Sequence, residues 1–176
     1  IKKNVELGII RNHYVGRTFI EPTQQIRSLG VKLKHNVNKS LIKGKSLILI
    51  DDSLVRGTTS VKIIKMLYEA GAKEVHLKIA SPPIKYPDYY GVDTPNQNEL
   101  LASKLDLEGM RKFINATTLQ FLSIEGLYKS MGYEKRNSSY PQFTDHCFTG
   151  EYPVKPIDAH DKDFINEQPS LMSSKY

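Results

Sequence analysis

KSLILIDDSLVRGTTS, residues 45–60, is the stretch on which the fold turns. Its apolar run, Leu47 to Ile50, stops at two acids, Asp51 and Asp52. A short turn follows with one glycine and a hydroxyl cluster, Arg56-Gly57-Thr58-Thr59-Ser60, and a helical pattern begins at Val61. Four apolar residues that close on a polar turn and lead into a helix predict a buried parallel strand feeding its crossover, hence an α/β fold. Ligands in open α/β sheets bind just beyond the carboxyl ends of such strands.

The chemistry at this spacing follows residue by residue. Side chains alternate along a strand, so adjacent acids reach one ligand only where the chain leaves it. Asp51 and Asp52 stand at that exit. Two carboxylates there accept hydrogen bonds from vicinal hydroxyls, each charge-assisted bond contributing roughly 1.5–3 kcal/mol. Gly57 lets backbone approach a ligand closely, and the N–H groups of a helix start point at an anion. Thr58, Thr59 and Ser60 add hydroxyl donors. Together they describe a ribose with a 5-phosphate. The plainer alternative is a turn opened by the two acids, with Thr59 or Ser60 capping a helix. Neither a complete P-loop (G-x-x-x-x-G-K-S/T) nor a G-x-G-x-x-G is present.

LILIDDSLVRGT resembles the phosphoribosyl-pyrophosphate (PRPP) motif of type I phosphoribosyltransferases, with Arg56, Gly57 and Thr59 in its last fixed places. With HYVGRTFIEPTQQ before it and SPPIKYPDYYGVDTP after, the chain resembles the amidophosphoribosyltransferase family (glutamine PRPP amidotransferases) over about residues 5–155. That resemblance implies a partial type I phosphoribosyltransferase fold with a mainly parallel, twisted sheet. It implies that the complete enzyme joins PRPP and glutamine-derived ammonia into phosphoribosylamine and pyrophosphate, the first committed step of purine synthesis. Asp51 and Asp52 would take the ribose hydroxyls and, with PRPP, Mg²⁺; Ser53 and the turn Arg56, Gly57, Thr58, Thr59 and Ser60 would hold the 5-phosphate.

Arg11 to Pro22 resembles the family's flexible catalytic loop. Carried over, Arg17 lies near the pyrophosphate, and Tyr14, Thr18, Phe19 and Ile20 line the closed site. His13 stands where the family usually has Arg. The resemblance also implies purine nucleotides as feedback inhibitors and a homo-oligomer. Some members hold an iron–sulfur cluster on cysteines whose places here are taken by Asp88, Pro141 and Thr144, so the chain resembles the cluster-free branch. Two alternatives stay open: another type I phosphoribosyltransferase, such as a base-salvage enzyme, and a non-catalytic PRPP-binding regulator.

The bounds agree with such an enzyme. At 176 residues, 39% hydrophobic and 25% charged, the chain has ordinary globular composition. Its net charge of +6 comes from scattered Lys and Arg, with no run or aromatic-interleaved stripe to mark nucleic acid as a partner. No apolar run approaches the roughly 20 residues of a membrane helix. The single cysteine, Cys147, cannot form an internal disulfide, which fits a reducing, cytoplasmic setting. An Ile start and an early strand-like stretch suggest a fragment, with the family's glutaminase half and pyrophosphate loop upstream.

Along the chain, Val5–Ile10 reads as a core strand, 23–29 as a short helix and 36–46 as a connection. Val61, Ile64 and Leu67 repeat at helical spacing up to a stop at Gly71. Glu74 to Ala80 alternates as a strand ending beside Ser81. Helical patterns recur at 98–104, 106–115 (capped by Asp106, with Leu107, Met110 and Ile114 inward) and 123–131, with a short strand at 119–122. This gives a phosphoribosyltransferase domain over 1–132 and an extended tail over 133–176 that wraps the domain and frays after Asp158. Asp145, His146, Cys147, His160 and Asp161 lack the paired spacing of a zinc site.

Overall fold

A computed structural model describes residues 5–11, 35–92, 94 and 96–154. The architecture is α/β. Three parallel strands, β3 (Ser46–Asp51), β4 (Glu74–Ile79) and β5 (Thr118–Phe121), lie in the order β3-β4-β5. A separate antiparallel pair, β1 (Ile9–Arg11) and β2 (His35–Val37), is followed by the short α1 (Lys39–Ile42). The remaining helices are α2 (Thr58–Glu69), α3 (Leu101–Lys104), α4 (Leu107–Ile114), α5 (Ile124–Ser130) and α6 (His146–Thr149).

Alternation fixes which face of the sheet is covered. Val75, Leu77 and Ile79 of β4 and Leu119 of β5 are buried against Ile64 and Leu67 of α2 and Met110 and Ile114 of α4. Leu47 and Leu49 of β3 pack onto the same core. On the opposite face β4 and β5 carry polar cross-strand pairs, His76 with Thr118 at 3.0 Å and Lys78 with Gln120. There β3 presents Ile48 and Ile50, 56% and 71% exposed, so the strand expected to be buried is covered on one face only among the described residues. It is one of the two edge strands, and no described layer covers Ile48 and Ile50 on that face.

Other boundaries moved for identifiable reasons. Val5 and Leu7 are 94% and 77% exposed, so the expected core strand over 5–10 shrinks to Ile9–Arg11, whose partner β2 is also only three residues long. The expected connection over 36–46 contains β2 and α1. α2 starts at Thr58, three residues before the apolar periodicity does, because Gly57 in the left-handed region (φ 75°) serves as its cap. The capping role considered for Thr59 or Ser60 is thereby replaced.

α4 begins as expected, with Asp106 accepting from Gly109 N at 2.7 Å, but Leu107 is half exposed rather than inward. Its spacing puts it on the same face as Met110 and Ile114, so its exposure goes with its place at the first position of the helix, one turn short of the buried pair. α5 is capped in the same way by Ser123. The expected helix over 23–29 and the fraying after Asp158 lie outside the described residues.

Candidate functional site

β3 and β4 run in register, Asp51 opposite Ile79, and Ala80 N donates to Asp51 O at 2.9 Å. This locks the ends of both strands together, so Asp51, Asp52 and the Ser81 segment share one edge of the sheet. Asp51 is partly buried and Asp52 exposed. Burial pushes the Asp51 carboxyl above its ordinary 3.8; the Asp52 charge adds to this, while the Asp52 N–H and His35 oppose it. Two hydrogen bonds orient the pair: Asp52 N donates to Asp51 Oδ1 at 3.1 Å, and Ser53 Oγ donates to Asp52 Oδ1 at 2.7 Å. Among the described residues these are the hydrogen bonds the two carboxylates accept, so most of their acceptor capacity is left for hydroxyl recognition or a hard cation.

The turn behind the acids is anchored by its apolar member. Leu54 is 2% exposed, and Val55 O accepts from Leu101 N at 2.8 Å. Arg56 Nε pairs with Glu99 Oε2 at 2.7 Å, both side chains about half exposed. Such a surface pair contributes only about 0–1 kcal/mol, so the guanidinium is easily drawn to another anion.

Gly57 proves to be needed by the fold itself. A Cβ there would lie 2.9 Å from Leu101 Cδ2 and 3.1 Å from Phe113 Cε1. The close approach at Gly57, expected of a ligand, is made here by α3 and α4. The twelve-residue α2 has no side-chain acceptor at its cap and no acid in its first turn, which leaves its amino end suited to an anion. Thr58 and Thr59 are exposed, whereas the Ser60 side chain is 3% exposed. The structure thus brings Asp51, Asp52, Ser53, Arg56, Gly57, Thr58, Thr59 and Ser60 into one turn. Tyr14, Arg17 and the rest of the loop over 12–22 lie outside the described residues. Gly44-Lys45-Ser46 has the last three places of a P-loop, but Lys39 stands at the first glycine, and the tripeptide enters a strand rather than leaving one.

A second polar cluster forms where residues 133–154 fold back. Asp145 accepts from Tyr128 Oη at 2.9 Å, from Arg136 Nε at 2.5 Å and from Thr149 Oγ1 at 3.2 Å. Burial opposes ionisation of Asp145, but Arg136, Tyr128 and Thr149 outweigh it and hold the carboxyl below its ordinary range. Beside it, Asp88 meets His146 and Cys147. Burial, then the Asp88 charge and hydrogen bond, push the Cys147 thiol up to about 11, so it is no nucleophile as it stands. Sequence reading missed the meeting of Asp88 with His146, 58 positions away, because no local spacing signals it.

Comparison with known proteins gives one consistent result. No family model matches the chain. An amidophosphoribosyltransferase of Rhizobium etli is 58% identical over 170 residues, covering 96% of this chain and 34% of that protein. That of Bacillus subtilis is 51% identical over 150 residues, covering 85% and 31%. The chain is a homologue of the amidophosphoribosyltransferases. It spans about a third of the length of the curated relatives it matches.

A solved structure of the Bacillus subtilis glutamine PRPP amidotransferase, complexed with ADP and GMP, superposes with a TM-score of 0.70 at 51% identity, over 84% of this chain and 32% of that one. The fold class shared with that family is the α/β one described above. Chloroplastic relatives also occur, as in Arabidopsis thaliana at 52% identity over 91% of this chain and 28% of that protein. No helix among the described residues is long and apolar enough to cross a membrane.

Proposed function

We propose that the protein acts as an amidophosphoribosyltransferase, making 5-phosphoribosylamine and pyrophosphate from PRPP and glutamine-derived ammonia, and that Asp51 to Ser60 binds PRPP. The observation that carries this is the acid pair at the carboxyl end of a parallel strand, followed after a four-residue turn by the left-handed Gly57 and a start of α2 that no side chain caps. The 58% identical relative supplies the reaction class.

In this reading Asp51 and Asp52 accept from the ribose hydroxyls and fix the ring. Their charge favours the positive character that develops on the sugar as pyrophosphate leaves. Ser53, Arg56 and the first turn of α2 hold the 5-phosphate, Thr58 and Thr59 through hydroxyl and backbone, the buried Ser60 through its backbone N–H. The donor set of two adjacent carboxylates fits Mg²⁺, which binds through one or two carboxylates plus substrate phosphates. When bound with PRPP, the ion would neutralise charge on the leaving pyrophosphate. Arg17 and Tyr14 are assigned by family resemblance to the loop that closes over the substrate. Cytoplasmic location, homo-oligomerisation and purine-nucleotide feedback belong to the same proposal, the last supported by the nucleotides in the Bacillus subtilis complex. So does a boundary near residue 132 between the phosphoribosyltransferase domain and its tail.

The test is turnover in the full-length protein. Asp52→Asn keeps the shape and removes a charged acceptor, and glutamine-dependent pyrophosphate release should fall by roughly 10²-fold. Wild-type turnover in both Asp51→Asn and Asp52→Asn contradicts the assignment.

A further inference from the structure

Three metal-ligating side chains outside the phosphoribosyl site converge where the tail docks on the loop after β4. Asp88 Oδ2 lies 3.1 Å from His146 Nε2 and 3.9 Å from Cys147 Sγ. All three donor atoms fall within 4.8 Å of one another. The other Asp88 oxygen is occupied by the N–H groups of Tyr90 at 2.5 Å and Val92 at 3.4 Å, which turns Oδ2 toward the pair. His146 is 3% exposed and is flanked by the rings of Tyr90 and Tyr152, each 5.0 Å away between centroids. We propose that Asp88, His146 and Cys147 bind one divalent ion of zinc's borderline softness, which staples the tail to the domain.

The chemistry favours zinc over its competitors. One oxygen, one nitrogen and one sulfur donor form a mixed set that suits Zn²⁺ and excludes an all-oxygen ion such as Mg²⁺ or Ca²⁺. Bonds of about 2.0–2.3 Å at tetrahedral angles separate donors by roughly 3.3–3.8 Å. The separations of 3.1 and 3.9 Å bracket that range, and the His146–Cys147 pair lies within 4.8 Å, so side-chain shifts of up to about 1 Å close the site. One cysteine cannot supply the several thiolates of an iron–sulfur cluster.

Without an ion the thiol is the poorly satisfied member of the cluster: its 3.9 Å contact with Asp88 is a weak hydrogen bond, whereas His146 Nε2 already reaches Asp88 Oδ2 at 3.1 Å. A water completes the fourth position, and binding releases the thiol proton. The ligands join two segments already in contact: Lys85 N and Tyr86 N donate to Cys147 O, and Tyr152 Oη donates to Pro87 O. The ion's role is therefore structural, and the site stands or falls independently of PRPP binding.

Cobalt substitution in the chelator-treated 176-residue chain tests this, because Cys147 is its one cysteine. The expected result is a thiolate-to-cobalt charge-transfer band in the near ultraviolet with tetrahedral ligand-field bands in the visible. These should saturate at one equivalent and be displaced by zinc, which also raises Tm. Cys147→Ser should abolish the charge-transfer band, and Asp88→Asn should weaken cobalt affinity at least tenfold. The spectrum of aqueous cobalt alone from the wild-type chain overturns the proposal without reference to any variant. So does a charge-transfer band of unchanged affinity in Asp88→Asn.

Discussion

Two aspartate-centred regions of this molecule use the same side chain in opposite ways. At the end of β3, Asp52 is exposed and Asp51 partly buried, most of their acceptor positions are unfilled among the described residues, and the nearby Arg56 pairs with a half-exposed Glu99. In the segment 133–154, the Asp145 side chain is 3% exposed and its oxygens are filled by Tyr128, Arg136 and Thr149. A carboxylate whose acceptor capacity is filled by its own chain fastens the fold; one left unfilled beside a helix start is available to a ligand. Substitutions should therefore separate cleanly into losses of stability at Asp145 and losses of binding at Asp52.

The largest effect should come from Arg136→Ala. It leaves Asp145 buried without its cation, and breaking such a pair costs about 3–5 kcal/mol. Chemical denaturation should show that loss while ribose 5-phosphate affinity, measured on the folded fraction, stays within twofold; a parallel loss of binding would merge the two regions. Asp52→Asn is the converse. Stability should stay within about 0.5 kcal/mol, while ribose 5-phosphate binding by calorimetry weakens by about 1.5–3 kcal/mol, the worth of a charge-assisted hydrogen bond.

Gly57→Val sits between these extremes. The added side chain meets Leu101 and Phe113 in a left-handed backbone position, so about 1–3 kcal/mol of stability should go together with affinity. Unchanged stability with lost affinity would restore a ligand-only role for this glycine. The smallest effect concerns Glu108, which accepts from Arg111 Nε and Nη2 at 2.7 Å each. Its hydrogen bond to Arg111 lowers the carboxyl from 4.5 to about 2. A depressed acid stabilises above its unfolded value and loses that contribution as pH falls through the folded one. The Tm advantage of wild type over Glu108→Gln should therefore be complete above pH 4.5 and fade toward pH 2.

Local signals in the sequence were enough for the elements that frame the site. Alternation at Val75, Leu77 and Ile79, the cap at Asp106 and the apolar-to-acid break at Asp51 depend on neighbours within a few positions. What escaped depends on distant contacts. The reason for Gly57 lies in Leu101 and Phe113, and the partner of Arg56 is Glu99, 43 positions away. α2 begins before its apolar period because a left-handed cap, not hydrophobicity, sets its first turn. Residues 133–154 are irregular apart from α6, and they are fastened by Arg136 to Asp145 and by His146 to Asp88, pairings that composition cannot announce.

Amide chemical-shift mapping with ribose 5-phosphate probes the central claim most directly, since it reads the backbone of the Asp51–Ser60 turn itself. The amides of Gly57 to Ser60 should move most and saturate together, the Asp51 and Asp52 amides should follow, and those of Arg136 and Asp145 should stay in place. Shifts that avoid residues 51–60 and concentrate elsewhere in the chain would contradict the account.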